Sequence, residues 1–211
     1  PVPAEARFIK PWGRYSMANS LAEIRQTMRK HQAADRPIWY TELNWSISAE
    51  EGGHYEKSRG RDVTALLQAA YWVRSYAWAL RLGVERLMFM SIVDTDSVNA
   101  GLMNRDGTWR PSAHAVKHMI ELMPHPRLAG AVSDGDEGVY AYGFEANAAA
   151  EGERRRVLMA WKVDGPGSLA VDWQAPTATI IDMLGHKKTV RAVEGKVIVP
   201  IGPCPVYVVV E

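Results

Sequence analysis

The hydrophobic period of this chain changes near residue 125, and that change limits what each half can fold into. Upstream, segments with helical spacing alternate with short apolar runs; downstream, short runs of β-formers are separated by turn residues. Ser20-Leu21-Ala22-Glu23 has the pattern of a capping box and predicts a helix through about His31, with Leu21, Ile24 and Met28 on one face. A strand is expected over Pro37 to Glu42, with Ile38, Trp39 and Tyr40 buried. A long polar loop follows, from Asn44 to about Gly60. A second helix is expected from about Asp62 to Leu82, with Gly83 as its C-terminal cap. Val84 to Val93 reads as a buried parallel strand ending in Asp94-Thr95-Asp96, and Pro111 opens a helix that Pro124 and Pro126 stop. This alternation is the logic of parallel βα units. Beyond residue 127, strands are expected at Val139 to Phe144, Val157 to Val163, Ser168 to Trp173, Ala178 to Asp182, Thr189 to Val193, Lys196 to Pro200 and Pro205 to Val210. Turns at Asp164-Gly165-Pro166-Gly167, Leu184-Gly185-His186 and Glu194-Gly195 separate them, the spacing of a small antiparallel sandwich.

Composition narrows the chemistry. The chain has 211 residues, 47% hydrophobic and 23% charged, with a net charge of +1. Nothing in that balance calls for a nucleic-acid or membrane partner. Arg154-Arg155-Arg156 reads as a solvated hairpin connection. The single cysteine, Cys204, rules out an intrachain disulfide and a cysteine metal cluster. The six histidines show no His-Glu-x-x-His spacing, and no Gly-rich phosphate loop or nucleophile elbow is present, so no cofactor is expected. No apolar run reaches bilayer length. The first residues, Pro-Val-Pro-Ala-Glu, lack a signal-peptide pattern, and a start at Pro1 is read as processing, truncation or a fragment. The compartment stays open, a secreted or periplasmic one included.

The chemistry concentrates in Arg36-Pro37-Ile38-Trp39-Tyr40-Thr41-Glu42-Leu43-Asn44-Trp45. Here a short strand pattern delivers one carboxylate to its C-terminal tip, and an indole follows three residues on. In α/β barrels that tip is where catalytic residues sit. A carboxylate beside aromatic rings suits cleavage of a glycosidic bond: it meets positive charge developing at the sugar carbon, while rings stack on the sugar's apolar face. A strand-end Glu that caps or solvates a loop fits the pattern equally well.

This segment resembles the seventh strand of clan A glycoside hydrolases, retaining enzymes on a (β/α)₈ barrel. Gly83 to Leu87, Asp94, Gly101-Leu102 and Asp106-Gly107-Thr108-Trp109-Arg110-Pro111-Ser112-Ala113 are similar to their eighth strand and last helix. Asp182-Met183-Leu184-Gly185 and Gly195-Lys196-Val197 resemble the β-sandwich that often follows, and the look is closest to the β-xylosidase and α-iduronidase-like family. The resemblance implies α/β plus all-β: the C-terminal part of a TIM barrel over residues 1–126 and a β-sandwich over 127–211. It implies that Glu42 is the catalytic nucleophile and that Trp45 shapes the sugar site. Asp94 would bind sugar hydroxyls or hold its loop, and His54 and Tyr55 would reach the carbohydrate substrate from the long loop or be ordinary loop residues. Two departures stand out. Phe89 occupies the region where family members often carry a platform Trp. No Asn-Glu pair, the family's acid/base signature at strand four, occurs in the 211 residues. The barrel-like part is also about half the length of a full barrel. Strands one to five and the general acid are therefore expected in a missing N-terminal portion, with which this chain would associate unless it associates with itself. The competing expectation is a non-catalytic carbohydrate-binding or scaffolding protein built on the same fold.

Overall fold

The computed structural model describes residues 17–48, 63–95, 99–147 and 154–209. It divides into two compact units, Pro1–Arg110 and Pro111–Glu211, so the helix that Pro111 opens groups with the sheets. No helix among the described residues is long and apolar enough to cross a membrane.

The first unit contains α1 (Met17–Lys30), β1 (Trp39–Leu43), α2 (Ala65–Arg81) and β2 (Arg86–Phe89). β1 and β2 pair in parallel, and α2 is the crossover between them. Thr64 caps α2: its hydroxyl accepts the Leu67 amide at 3.1 Å. The far end closes as a Schellman motif. The Val84 amide donates to the Ala79 carbonyl at 2.9 Å, the Gly83 amide to the Leu80 carbonyl at 3.1 Å, and Gly83 takes φ +68°. α1 ends the same way with a side chain in the left-handed position: Ala33 bonds back to Met28 at 2.8 Å, and Gln32 has φ +55°. Ser20 lies inside α1, which already runs from Met17, so the expected capping box does not open this helix.

The strands are less buried than the apolar runs imply. Trp39 is 51% exposed, and β2 stops at Phe89, leaving Met90, Ile92 and Val93 exposed. The physical reason is partnership. A parallel strand needs cover on both faces and neighbours on both edges. Among the described residues β1 and β2 have only each other as ladder partners, and one parallel pair with its crossover helix does not by itself show the partial TIM barrel expected over residues 1–126. The chain beyond Phe89 turns into a bridged loop, where Met103 and Asp94 exchange backbone bonds with Ile92 and Met103 at 2.9 and 3.1 Å.

The second unit is a β-sandwich carrying one helix, α3 (Pro111–Leu122). Its strands are β3 (Arg127–Asp134), β4 (Val139–Asn147), β5 (Arg154–Lys162), β6 (Gly167–Asp172), β7 (Thr177–Asp182), β8 (Lys187–Arg191), β9 (Lys196–Ile201) and β10 (Val206–Val209). A six-stranded sheet has the order β3-β4-β5-β10-β7-β8, and β6 pairs with β9 in a second sheet. Strand alternation divides the side chains cleanly. Ala141, Leu158, Ala160, Ala178, Ile180 and Val208 point inward to Val171, Val197, Val199 and Ile201 of the small sheet. The opposite face of the large sheet is also buried: Tyr142, Met159, Trp161 and Tyr207 are 0% exposed, each contributing roughly 2–3 kcal/mol of hydrophobic stabilisation. α3 meets this face, its His118 ring standing edge-on to Tyr207 at 6.0 Å.

Each strand expected beyond Val139 is present within a few residues, including the start of β5, which absorbs Arg154-Arg155-Arg156 into a strand. β3 is an addition. Its Leu-Ala-Gly-Ala-Val core does not alternate, and its register with β4 breaks twice, as suits an edge strand. The other edge, β8, is blunted by Lys187, Lys188 and Arg191. The β7–β8 turn is held by Asp182, which accepts the Leu184 and His186 amides at 2.8 and 3.0 Å and the His186 ring at 2.8 Å. Burial pushes the Asp182 carboxyl up, but these bonds outweigh it and its pKa lies below the usual value.

Two stability predictions follow from these packings. Gly83→Ala should cost about 1–2 kcal/mol and Gln32→Gly should gain up to about 1 kcal/mol, both read from urea denaturation, because only glycine takes positive φ without strain. Burial holds the His118 pKa below its ordinary 6.5, so the unfolded chain binds the proton first. Stability should therefore fall as pH drops from about 6.5 towards the lowered native value. A His118→Phe variant should lose that component of the slope; parallel curves for the two proteins between pH 7 and 5 would contradict it.

Candidate active site

Glu42 lies near the C-terminal end of β1, beside the end of β2. The register pairs Tyr40 with Leu87 and Leu43 with Phe89, so β1 spends three steps where β2 spends two. One extra residue is therefore accommodated at Thr41–Glu42, a bulge of the kind that re-aims a side chain at barrel rims and active sites. Glu42 is exposed and, among the described residues, makes no hydrogen bond or ion pair.

An aromatic cluster ties the two strand ends to α2. Trp45 is buried and meets Tyr71 and Trp72 edge-on at 5.5 and 5.2 Å. Trp72 in turn packs on Phe89 at 4.1 Å, and Tyr76 lies 5.9 Å from the same ring. Gln68 donates its amide to the Trp45 carbonyl at 2.8 Å. Helical spacing explains the set: residues 68, 71, 72 and 76 share one face of α2. Burial raises the Tyr76 phenol to about 12, so it stays a neutral donor, aimed at the Leu87 carbonyl at 3.4 Å. Trp45, just past the end of β1, and Phe89, the last residue of β2, thus both pack on Trp72 of α2.

Asp94 is fully enclosed. Its carboxylate forms a bidentate pair with Arg110, one bond measuring 3.0 Å, and also accepts the Gly101 amide at 2.8 Å. Arg110 further donates to Asn104 at 2.8 Å and to Asn99 at 3.2 Å. Asn99 then straps the loop after β1: its side chain donates to the Ile47 carbonyl at 2.7 Å and its carbonyl accepts the Ile47 amide at 3.1 Å. A Cβ on Gly101 would sit 2.9 Å from the Asp94 amide nitrogen, which explains a glycine there. Of the two roles expected for Asp94, this geometry is that of a loop anchor. His54 and Tyr55 lie outside the described residues. Gln68, Asn99 and Arg110 were not foreseen as parts of this site: Gln68 hides in an apolar helix, and the other two sit in an aperiodic loop.

Fold and site together define an α/β unit that presents an exposed carboxylate at the end of a parallel strand, followed in the chain by a β-sandwich. No protein-family model matches the chain, and no curated protein matches it. Solved structures do. The chain is similar to a family 39 glycoside hydrolase from the gut symbiont Bacteroides cellulosilyticus WH2, with a TM-score of 0.65 and 20% identity over 90% of this chain. It is also similar to a glucosidase from Croceicoccus marinus, with a TM-score of 0.55 and 11% identity over 89% of this chain. It spans 38% and 48% of those two chains. The shared fold agrees with the resemblance to the C-terminal part of a clan A glycoside hydrolase.

The Asp94–Arg110 pair gives a direct test of the loop anchor. Asp94→Asn should destabilise the first unit by about 3–5 kcal/mol, because it leaves a buried guanidinium uncompensated. Glu85→Gln, which loosens an exposed contact to Arg86 at 3.9 Å, should change stability by less than about 0.5 kcal/mol in the same denaturation experiment.

Proposed function

We propose that this chain is the nucleophile-bearing C-terminal portion of a retaining glycoside hydrolase acting on an oligo- or polysaccharide, with Glu42 as the nucleophile. The observation that carries the reading is the exposed carboxylate of Glu42 at a bulged strand end, without a side-chain partner among the described residues, with Trp45 three residues on packed against α2. A nucleophile must be held in place yet keep its lone pairs available. The Glu42 oxygen attacks the anomeric carbon as the bond from that carbon to the leaving oxygen breaks. A second carboxylic acid protonates the leaving oxygen, then takes a proton from the water that attacks the same carbon and frees Glu42. That second group belongs to the missing N-terminal portion of the parent barrel, since no Asn-Glu pair occurs here. Exposed Trp39, Met90, Ile92 and Val93 are surface that this portion, or a second copy of the chain, covers. In this scheme Trp45 shapes the sugar site, Asp94 acts by holding its loop, and His54 and Tyr55 are further candidate contacts to the sugar.

One observation favours a second reading, a non-catalytic carbohydrate-binding or scaffolding protein: Phe89 is committed to Trp72 and offers no platform to a sugar. The full-length protein separates the two. Glu42→Gln should lower turnover of an aryl glycoside by roughly 10³-fold or more, with an unchanged unfolding midpoint. Near-normal turnover in that variant would remove Glu42 as the nucleophile, and a full-length wild-type protein that binds oligosaccharide without hydrolysing it would favour the second reading.

A further inference from the structure

At the opposite end of the β1–β2 pair from Glu42, where both strands begin, the first unit contains a half-open cavity of about 280 Å³. Three guanidinium groups line it: Arg25 and Arg29, one turn apart on α1, and Arg36, just before β1. Their company is sparse. Arg25 donates one nitrogen to the Leu82 carbonyl at the end of α2. The guanidinium groups of Arg29 and Arg36 have no hydrogen-bond or ion-pair partner among the described residues. Among the described residues of the wall one is acidic, Glu85, which also lies 3.9 Å from Arg86. The ends of α1 and α2 add roughly half a negative charge each, but both close on their own amides through Schellman motifs. Among the described residues, three positive charges against one carboxylate and two half-charges leave the cavity net positive. Its remaining wall is apolar, with Met28 and Ile38, which concentrates the field rather than screening it.

We propose that this cavity binds a phosphate group carried on a small organic molecule. Guanidinium forks match phosphate oxygens in pairs, which a lone chloride or a neutral sugar hydroxyl cannot exploit. The volume exceeds what a bare phosphate fills, and the Met28 and Ile38 side accepts a short carbon skeleton. The site shares no residue with the Glu42 end and stands whether or not Glu42 is a nucleophile.

Calorimetric titration of the full-length protein with inorganic phosphate and with glycerol phosphate tests it, with sodium chloride at matched ionic strength as control. Both phosphates should bind where chloride does not, and glycerol phosphate should bind more tightly. The paired substitutions Arg29→Ala and Arg36→Ala, both at exposed positions, should weaken binding at least tenfold without moving the unfolding midpoint. Glu85→Gln should tighten it several-fold. Absence of phosphate binding above the chloride control would overturn the proposal, and so would binding that survives the paired arginine substitutions or is indifferent to Glu85→Gln.

Discussion

The contact on which the first unit depends is the packing of Trp72 between Trp45 and Phe89. One residue of α2 touches the chain just past the end of β1 and the last residue of β2 at once. Two parallel strands alone make a weak sheet, because each ladder is short and neither edge is satisfied. The indole supplies what the ladder lacks: a large apolar area plus edge-to-face geometry worth about 1 kcal/mol per ring pair beyond burial. Gln68 adds a polar tie to the Trp45 carbonyl, so the backbone leaving β1 is held by side chain and main chain together. A carboxylate on such a strand end is positioned through the backbone, with no side-chain partner of its own among the described residues.

A second constraint closes the loops. The Asp94–Arg110 pair is buried, and its worth lies in what it orders more than in net stability. Through Asn99 it joins the loop after β2 to the loop after β1, two segments that no regular ladder connects. The sandwich solves a different problem. Its large sheet is apolar on both faces, which demands a second sheet on one side and helical cover on the other, and its two edges are made unattractive by irregular register in β3 and by cations in β8.

Periodic features were legible in the sequence. Gly83 marked the end of α2, Pro111 the start of α3, and the turn residues after 163 separated real strands. Glu42 stood out as a carboxylate ending a strand pattern. Aperiodic features were not legible. β3 was hidden because Gly130 and small residues blur its alternation, and edge strands need little alternation to form. The depth of Trp39 was overestimated because an apolar run reports what a strand needs, not whether its neighbours lie within the same residues. The roles of Asn99 and Arg110 depend on contacts between loops distant in sequence, which no local spacing encodes.

The central claim is that Glu42 forms a covalent bond to sugar in the parent protein. The most direct measurement incubates that full-length protein with a 2-deoxy-2-fluoro glycoside bearing a good leaving group, then maps the labelled peptide by mass spectrometry. Fluorine beside the anomeric carbon disfavours positive charge there and slows release of the intermediate, while the activated leaving group still allows it to form. The account predicts that the added mass resides on Glu42. Time-dependent inactivation with the label on a different carboxylate, or an active enzyme that accumulates no covalent adduct, would contradict it.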